Sequence, residues 1–291
     1  MRRRKKIHIS TVIIALILLL LALLCILPFL NIVAISFSDK TMASAGVVTL
    51  LPKDFTISSY EYIVSQKALW KSFGVTIIRV ILATVLSTLC TLITAYPLSM
   101  SNERFRERTV YVWYFFITTL ISGGLIPGYI LIQSLRLMNS IWALVLPSVV
   151  NVFNIIVMLN FYRQLPPALS EAATLDGAGH WSILFRIYVP LSLPAIATIV
   201  LFTVCGHWNS WFDGSIYMNS NNHPLATYLQ SVIVSSNNIT QGGTDIGLLR
   251  AVSHKTVRSA TIVVSAVPIL LVYPFLQKYF VTGLTLGGVK E

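Results

Sequence analysis

The stretch from Thr11 to Ser36 carries no Asp, Glu, Lys or Arg at all. A bilayer core is crossed by about 20 apolar residues in a helix, so this run is long enough to span and too long for a soluble core helix or a signal-peptide core. Five further windows are long and mostly apolar, at 72–101, 109–133, 140–163, 189–212 and 259–281. The chain is 55% apolar and 11% charged, against about 25% charged in an ordinary soluble domain, so a water-soluble globule is excluded. Six spans within 291 residues leave no room for a soluble catalytic domain. The expectation is an all-α polytopic membrane protein with six transmembrane helices and one transmembrane domain over 1–291.

Charge orients it. The net charge of +11 would suggest nucleic acid in a soluble protein, yet five basic residues, Arg2 to Lys6, directly precede the first apolar run. Positive residues beside spans stay in the cytoplasm, which puts the N-terminus inside. Six spans then return the C-terminus to the same side, together with the short link holding Arg104, Arg106 and Arg108 and the loop 164–188. Outside lie two longer segments, 37–71 and 213–258, rich in Ser, Thr, Asn and Gly. Trp70, Trp113, Trp142 and Trp211 fall near span ends, where an aromatic belt is expected. Cys25, Cys90 and Cys205 lie within apolar segments without paired spacing, so they read as small buried hydrophobes rather than disulfide or metal ligands. The Leu24 before Cys25 occupies a position where a lipoprotein signal needs a small residue, so the first run reads as an uncleaved span.

The loop 164–188 carries the most specific signal. Pro166 and Pro167 can start a helix, Ala168 to Asp176 favours one, and Gly177 can end it in a left-handed cap. Ala172 and Ala173 present little bulk, so another surface can approach the backbone, with Glu171 and Asp176 offering charge at either end. A second helix is expected from about His180, with Trp181, Leu184, Phe185 and Tyr188 forming an apolar stripe until Pro190. From physics alone this is either a docking element or a helical hairpin lying on the bilayer.

Glu171-Ala-Ala-x-x-Asp-Gly-Ala178, followed by Phe185-x-Ile187-x-x-Pro190-Leu191 and Pro194, resembles the EAA signature of the membrane subunits of binding-protein-dependent ABC importers. Gly206-His-Trp-Asn-Ser-Trp211, the tail Gly283 to Lys290 and the segment from Phe37-Ser-Asp to Ser59-Tyr60 are similar to the carbohydrate-uptake branch, in its maltose-type and aldouronate- or alginate-oligosaccharide-type members. The resemblance spans essentially the whole chain. It implies a type I ABC importer permease fold in a bacterial plasma membrane, and transport of oligosaccharides that include uronate-containing ones. It further implies a second homologous permease subunit, a cytoplasmic ATPase dimer and an extracytoplasmic solute-binding protein as partners. By the same resemblance Glu171, Ala172, Ala173, Asp176, Gly177 and Ala178 couple to the ATPase, and Gly287 and Gly288 in the tail reach it too.

The chain itself offers no chemistry. The glycine-rich tail lacks the order of a phosphate-binding loop, because Val289 separates Gly288 from Lys290. Its five histidines form no metalloprotease motif, and no cofactor, metal site or nucleic-acid partner is expected. Polar groups within spans are costly in lipid and mark pathways or helix contacts. Arg79 is the basic residue inside a span, and either snorkels to the outer interface or lines a cavity. Asn151 and Asn154 share a face by their spacing, as do His207 and Trp211, with Asn209 adjacent. Arg79, Asn151, Asn154, Asn209 and Trp211 are therefore the candidate substrate path, since amides and rings suit a pyranose's hydroxyl rim and C–H face. Two rivals stand beside this reading: an ABC permease for a non-sugar solute, and a secondary transporter, which would show paired intramembrane charges or broken-helix repeats.

Overall fold

The computed structural model describes residues 9–234 and 252–288, and side-chain surroundings for all of these except Ile9, Thr11, 233–234, Val272, Tyr273 and the residues beyond Pro274. The expected basic start, Arg2 to Lys6, lies outside the described residues. Among the described residues every regular element is helical, apart from one isolated bridge between Ser38 and Phe55. By its contacts the chain divides into two compact units: Met1–Leu69 with Leu229–Val267, and Trp70–Tyr228 with Pro268–Glu291.

In the first unit, helix α1 (Ile9–Ser36) is apolar on every side, and its described residues from Val12 to Leu30 are exposed. A helix apolar all round meets no penalty only in lipid or a large core. It leads into a small folded cap rather than an irregular loop. Asp39 N-caps α2 (Lys40–Ser44), accepting from the Thr41 amide at 2.8 Å. The Asn31 amide group donates to the Val48 and Thr49 carbonyls at 3.3 and 2.6 Å. Phe37 stacks on Phe55 and on Tyr60, which opens α3 (Ser58–Ser65) and shares a 2.7 Å hydrogen bond with Ser36. Burial raises the Tyr60 phenol above its usual pKa.

The second unit starts within α4 (Lys67–Ser99). By length and composition α1 and α4 can each cross a membrane, and three further candidates are bent pairs. Helices α5 (Arg108–Leu120) and α6 (Leu125–Ser134) meet at 112°, where Gly124 adopts φ +83°. A segment from α7 (Ile141–Val145) through a 3₁₀ turn at Leu146–Ser148 bends by 46° into α8 (Val152–Tyr162). After α9 (Pro167–Leu175), α10 (His180–Ile183) runs through a π turn (Leu184–Tyr188) into α11 (Val189–Leu191), and bends by 82° into α12 (Leu193–Asn209). Pro190 and Pro194 each lack an N–H at this break, which removes ladder bonds where the angle forms. Then follow α13 (Phe212–Tyr217), α14 (Leu225–Val234) and α15 (His254–Gly288), the last covering the expected sixth span.

The core of this unit joins Leu92, Ala95 and Tyr96 of α4 to Ile155, Met158 and Tyr162 of α8, Ile183 and Leu184 of the loop, and Ala195 and Ile199 of α12. The stripe expected after His180 is corrected here. Leu184 is buried and Tyr188 packs against the core, while Trp181 and Phe185 stack on each other and are exposed.

Candidate functional site

Two regions gather the residues singled out in the sequence, both within the second unit. The first is α9. Pro167 opens it, where a missing N–H costs nothing. At its other end Gly177 (φ +78°) donates to the Thr174 carbonyl at 3.0 Å and Ala178 to that of Ala173 at 2.9 Å. This is the 5→2 and 6→1 pair of a Schellman cap, which only a residue at ease with positive φ closes cheaply. The buried Ser170 hydroxyl donates to the Pro167 carbonyl at 2.9 Å and receives Arg104 Nη1 at 3.3 Å, while Arg104 Nη2 reaches Glu171 Oε1 at 3.2 Å. Ala173 and Ala178 pack against the core. Their small size therefore lets α9 sit close to its own protein, and the outward face is made by Leu169, Ala172 and Leu175. Leu175, 89% exposed, had not been singled out. Gly287 and Gly288 end α15, and their surroundings lie outside the described residues.

The second region is a cavity of ≈ 260 Å³ between α4, α8, α12 and the start of α13. Its floor is an ordered charge network. Arg79, 1% exposed, forms a forked ion pair with Asp213, donates through Nη1 to the Ser210 carbonyl at 3.2 Å, and through Nε to His207 Nδ1 at 3.1 Å. Because Nδ1 accepts, His207 carries its proton on Nε2, which faces Ser148 Oγ at 3.2 Å, and that hydroxyl donates on to the Val145 carbonyl at 3.0 Å. Of the two readings of Arg79, the cavity-lining one describes its position. The pair is internally neutral, so the cavity offers hydrogen bonding without net charge.

Around it stand Ser87, Asn151, Asn154 and Thr203, with Phe153 and Phe202 tilted against each other at 5.8 Å. Ser87 is buried and its hydroxyl has no partner among the described residues. Asn151 and Asn154 do meet here, though not as two positions on one helical face. Asn151 is extended and caps α8 by accepting from the Asn154 amide at 3.1 Å, the role short polar side chains fill best. The Asn154 side chain donates to Thr203 Oγ1 on α12 at 3.3 Å. The shared face expected for His207 and Trp211 is corrected by the end of α12 at Asn209: Ser210 is extended and turns Trp211 away, exposed. The Asn209 side chain donates to the Cys205 carbonyl at 2.9 Å, and neither Asn209 nor Trp211 lines this cavity.

Asp213 was missed, although the sequence held a signal for it. It is the one charged residue between Arg186 and Asp245, as Arg79 is between Lys71 and Glu103. Two lone opposite charges at similar distances from the ends of two spans are expected to find each other in a medium that cannot solvate them.

Comparison with known proteins bears on both regions. A family model for the binding-protein-dependent transport system inner membrane component matches residues 79–286. The polygalacturonan/rhamnogalacturonan transport system permease protein YtcP of Bacillus subtilis (strain 168) is 37% identical over 94% of this chain and 95% of its own. Protein LplC of the same organism is 39% identical over 91% of this chain and 89% of its own. Among solved structures, a chain of a bacterial ABC transporter involved in the import of the acidic polysaccharide alginate superposes with a TM-score of 0.85 at 31% identity, covering 95% of this chain and 100% of that one.

Proposed function

The chain belongs to the family of binding-protein-dependent transport system inner membrane components, and from that premise we propose that it is the membrane-spanning permease subunit of an ATP-driven importer of oligosaccharides, with uronate-containing ones as its cargo. Six spans place both termini in the cytoplasm of a bacterial inner membrane. A second, homologous permease completes the pathway, an extracytoplasmic solute-binding protein delivers the sugar, and a separate ATPase dimer supplies the energy. The cargo class is supported by two relatives whose own substrates are polymers of acidic sugars.

The observation that carries the mechanism is α9. Its cap, the Arg104 contacts and the inward Ala173 and Ala178 fix it to the core that contains α4, α8 and α12. Closure of an ATPase dimer against Leu169, Glu171, Ala172 and Leu175 moves α9 as a rigid piece, and the helices bearing the cavity move with it. Asp176, Gly177 and Ala178 keep the piece rigid, and the Gly287–Gly288 tail makes a further ATPase contact. Arg79, Asn151 and Asn154 line the sugar path. Asn209 and Trp211, on either side of cavity-lining Ser210, form its outer approach. An ion-coupled transporter would also use a buried charge pair, but Arg79 and Asp213 satisfy each other and serve here to hold α4 to the end of α12.

The test is a mild-detergent pull-down of the tagged chain from its native membrane beside Glu171→Ala. Recovery of an ATPase and a second permease with the wild type, with weaker ATPase retention in the variant, is the expected result. A chain recovered alone from membranes that still import the sugar would refute the proposal.

A further inference from the structure

We propose that the cavity beneath the end of α4 binds the phosphate of an anionic phospholipid headgroup. Its volume is ≈ 510 Å³, and Arg104, Arg108, Arg163 and Tyr162 line it, with Glu103 at its edge as the acidic residue besides Glu171. Arg104 is paired with Glu171, but no carboxylate lies within 4.0 Å of Arg108 or Arg163 among the described residues. Both nevertheless converge on one acceptor: Arg108 Nε and Arg163 Nη2 donate to the Leu98 carbonyl at 3.0 and 3.4 Å. Arg108 Nη1 also donates to Asn102 Oδ1 at 3.1 Å. Two guanidinium groups held on one carbonyl repel each other, and each carries five N–H groups, more than these bonds use among the described residues. Beside them Tyr162 is 2% exposed, and its hydroxyl has no partner among the described residues. Buried hydroxyls without partners are uncommon and costly.

A phosphate supplies both missing things, negative charge between the two arginines and acceptor oxygens for their free N–H groups and the phenol. Position selects the lipid over free phosphate. Leu98 closes the apolar length of α4 and Tyr162 that of α8, so the cavity sits where span gives way to charged link, at headgroup depth. Basic pockets between spans on the cytoplasmic side are the sites where such headgroups bind. Since Ser170 and Glu171 also line the cavity, the headgroup lies against the elements that hold α9. The inference rests on the topology proposed above.

The full importer complex, purified into nanodiscs of phosphatidylcholine alone or with added phosphatidylglycerol, is analysed by native mass spectrometry for lipid retained on this subunit. Wild type retains phosphatidylglycerol, and inorganic phosphate does not displace it. Arg163→Ala lowers retention about tenfold or more, as loss of a charge-assisted contact does. Tyr162→Phe lowers it about threefold without lowering the melting temperature, since the hydroxyl removed has no protein partner. Equal retention by both variants overturns the site. Displacement by inorganic phosphate overturns the lipid as its source. The readout does not depend on which face is cytoplasmic, so a cysteine placed at Asn102 and labelled only from outside would overturn the topology separately.

Discussion

Removing Asp213 exposes what the buried network contributes. Arg79 is 1% exposed and Asp213 supplies its counter-charge, while the Asp213 side chain is itself 26% exposed. Taking one partner from a buried pair costs about 3–5 kcal/mol, and the partial access of water at Asp213 lowers the expectation for Asp213→Asn to about 2–3 kcal/mol. Arg79→Met costs less, about 1–2 kcal/mol, because the stranded carboxylate keeps Ser210 Oγ and the Gly214 amide as donors at 2.8 Å and can reach water. The double variant strands no charge and falls no further than Asp213→Asn alone. At about 2–4 °C per kcal/mol for a chain of this size, Asp213→Asn lowers the unfolding midpoint by about 4–12 °C. The assay is thermal unfolding of the assembled complex in one detergent at one scan rate, since irreversible unfolding makes midpoints rate-dependent. A shift below about 2 °C for Asp213→Asn, or a double variant equal to the sum of the singles, shows that the two residues do not act as a pair.

Three other substitutions address the remaining parts. Leu175→Asp leaves the melting temperature of the free chain within about 1 °C, because exposed substitutions change stability little, but strips the ATPase in a pull-down; retention of the ATPase contradicts the assignment of that face. At Gly214 a new Cβ would strike Thr227 Oγ1 and lie 2.9 Å from Pro224 Cδ, whereas at Gly206 nothing lies within 4 Å. Gly214→Ala therefore costs about 1–3 kcal/mol by overpacking, and Gly206→Ala is neutral or stabilising, as unfolding midpoints will report. The Thr41 hydroxyl and amide hold the Asp39 carboxyl below the usual carboxylate range. A folded pKa below the unfolded value of about 3.9 means that the α2 cap is fully present above about pH 4 and is lost as pH falls through the depressed value. Hydrogen exchange in Thr41 to Gly46, corrected for its intrinsic rate, stays level from about pH 8 to pH 5, and Asp39→Ala loosens it at every pH in that range.

How far the sequence could be read depended on whether a feature was local. The α9 helix was legible because a proline start and a left-handed glycine end are written in neighbouring residues, and Gly177 adopts the conformation expected of it. The apolar runs were legible by composition, yet composition carries no angle. The bends near Gly124, Pro147 and Ser192 depend on where a missing N–H or a positive φ meets tertiary packing, and apolar periodicity runs straight through them. Asn151 illustrates the same limit at one residue, since a cap residue and a helical residue three positions on look the same in a spacing argument as two residues on one helical face. The Arg79–Asp213 pair joins residues 134 positions apart. Only the isolation of each charge in its own apolar stretch pointed to the other. The exposure of Leu175 is not legible in the motif, because an apolar residue in a helix reads as a core residue until the packing of that helix is known.

The central claim is that this chain conducts an oligosaccharide only when an ATPase drives it through α9. Its most direct measurement is uptake of a labelled short oligogalacturonide by proteoliposomes holding the complete complex, with the solute-binding protein outside and ATP either enclosed or omitted. The account predicts uptake that needs both enclosed ATP and the binding protein and that falls with Leu175→Asp. Equal uptake without ATP, or ATP-driven uptake unchanged by Leu175→Asp, would contradict it.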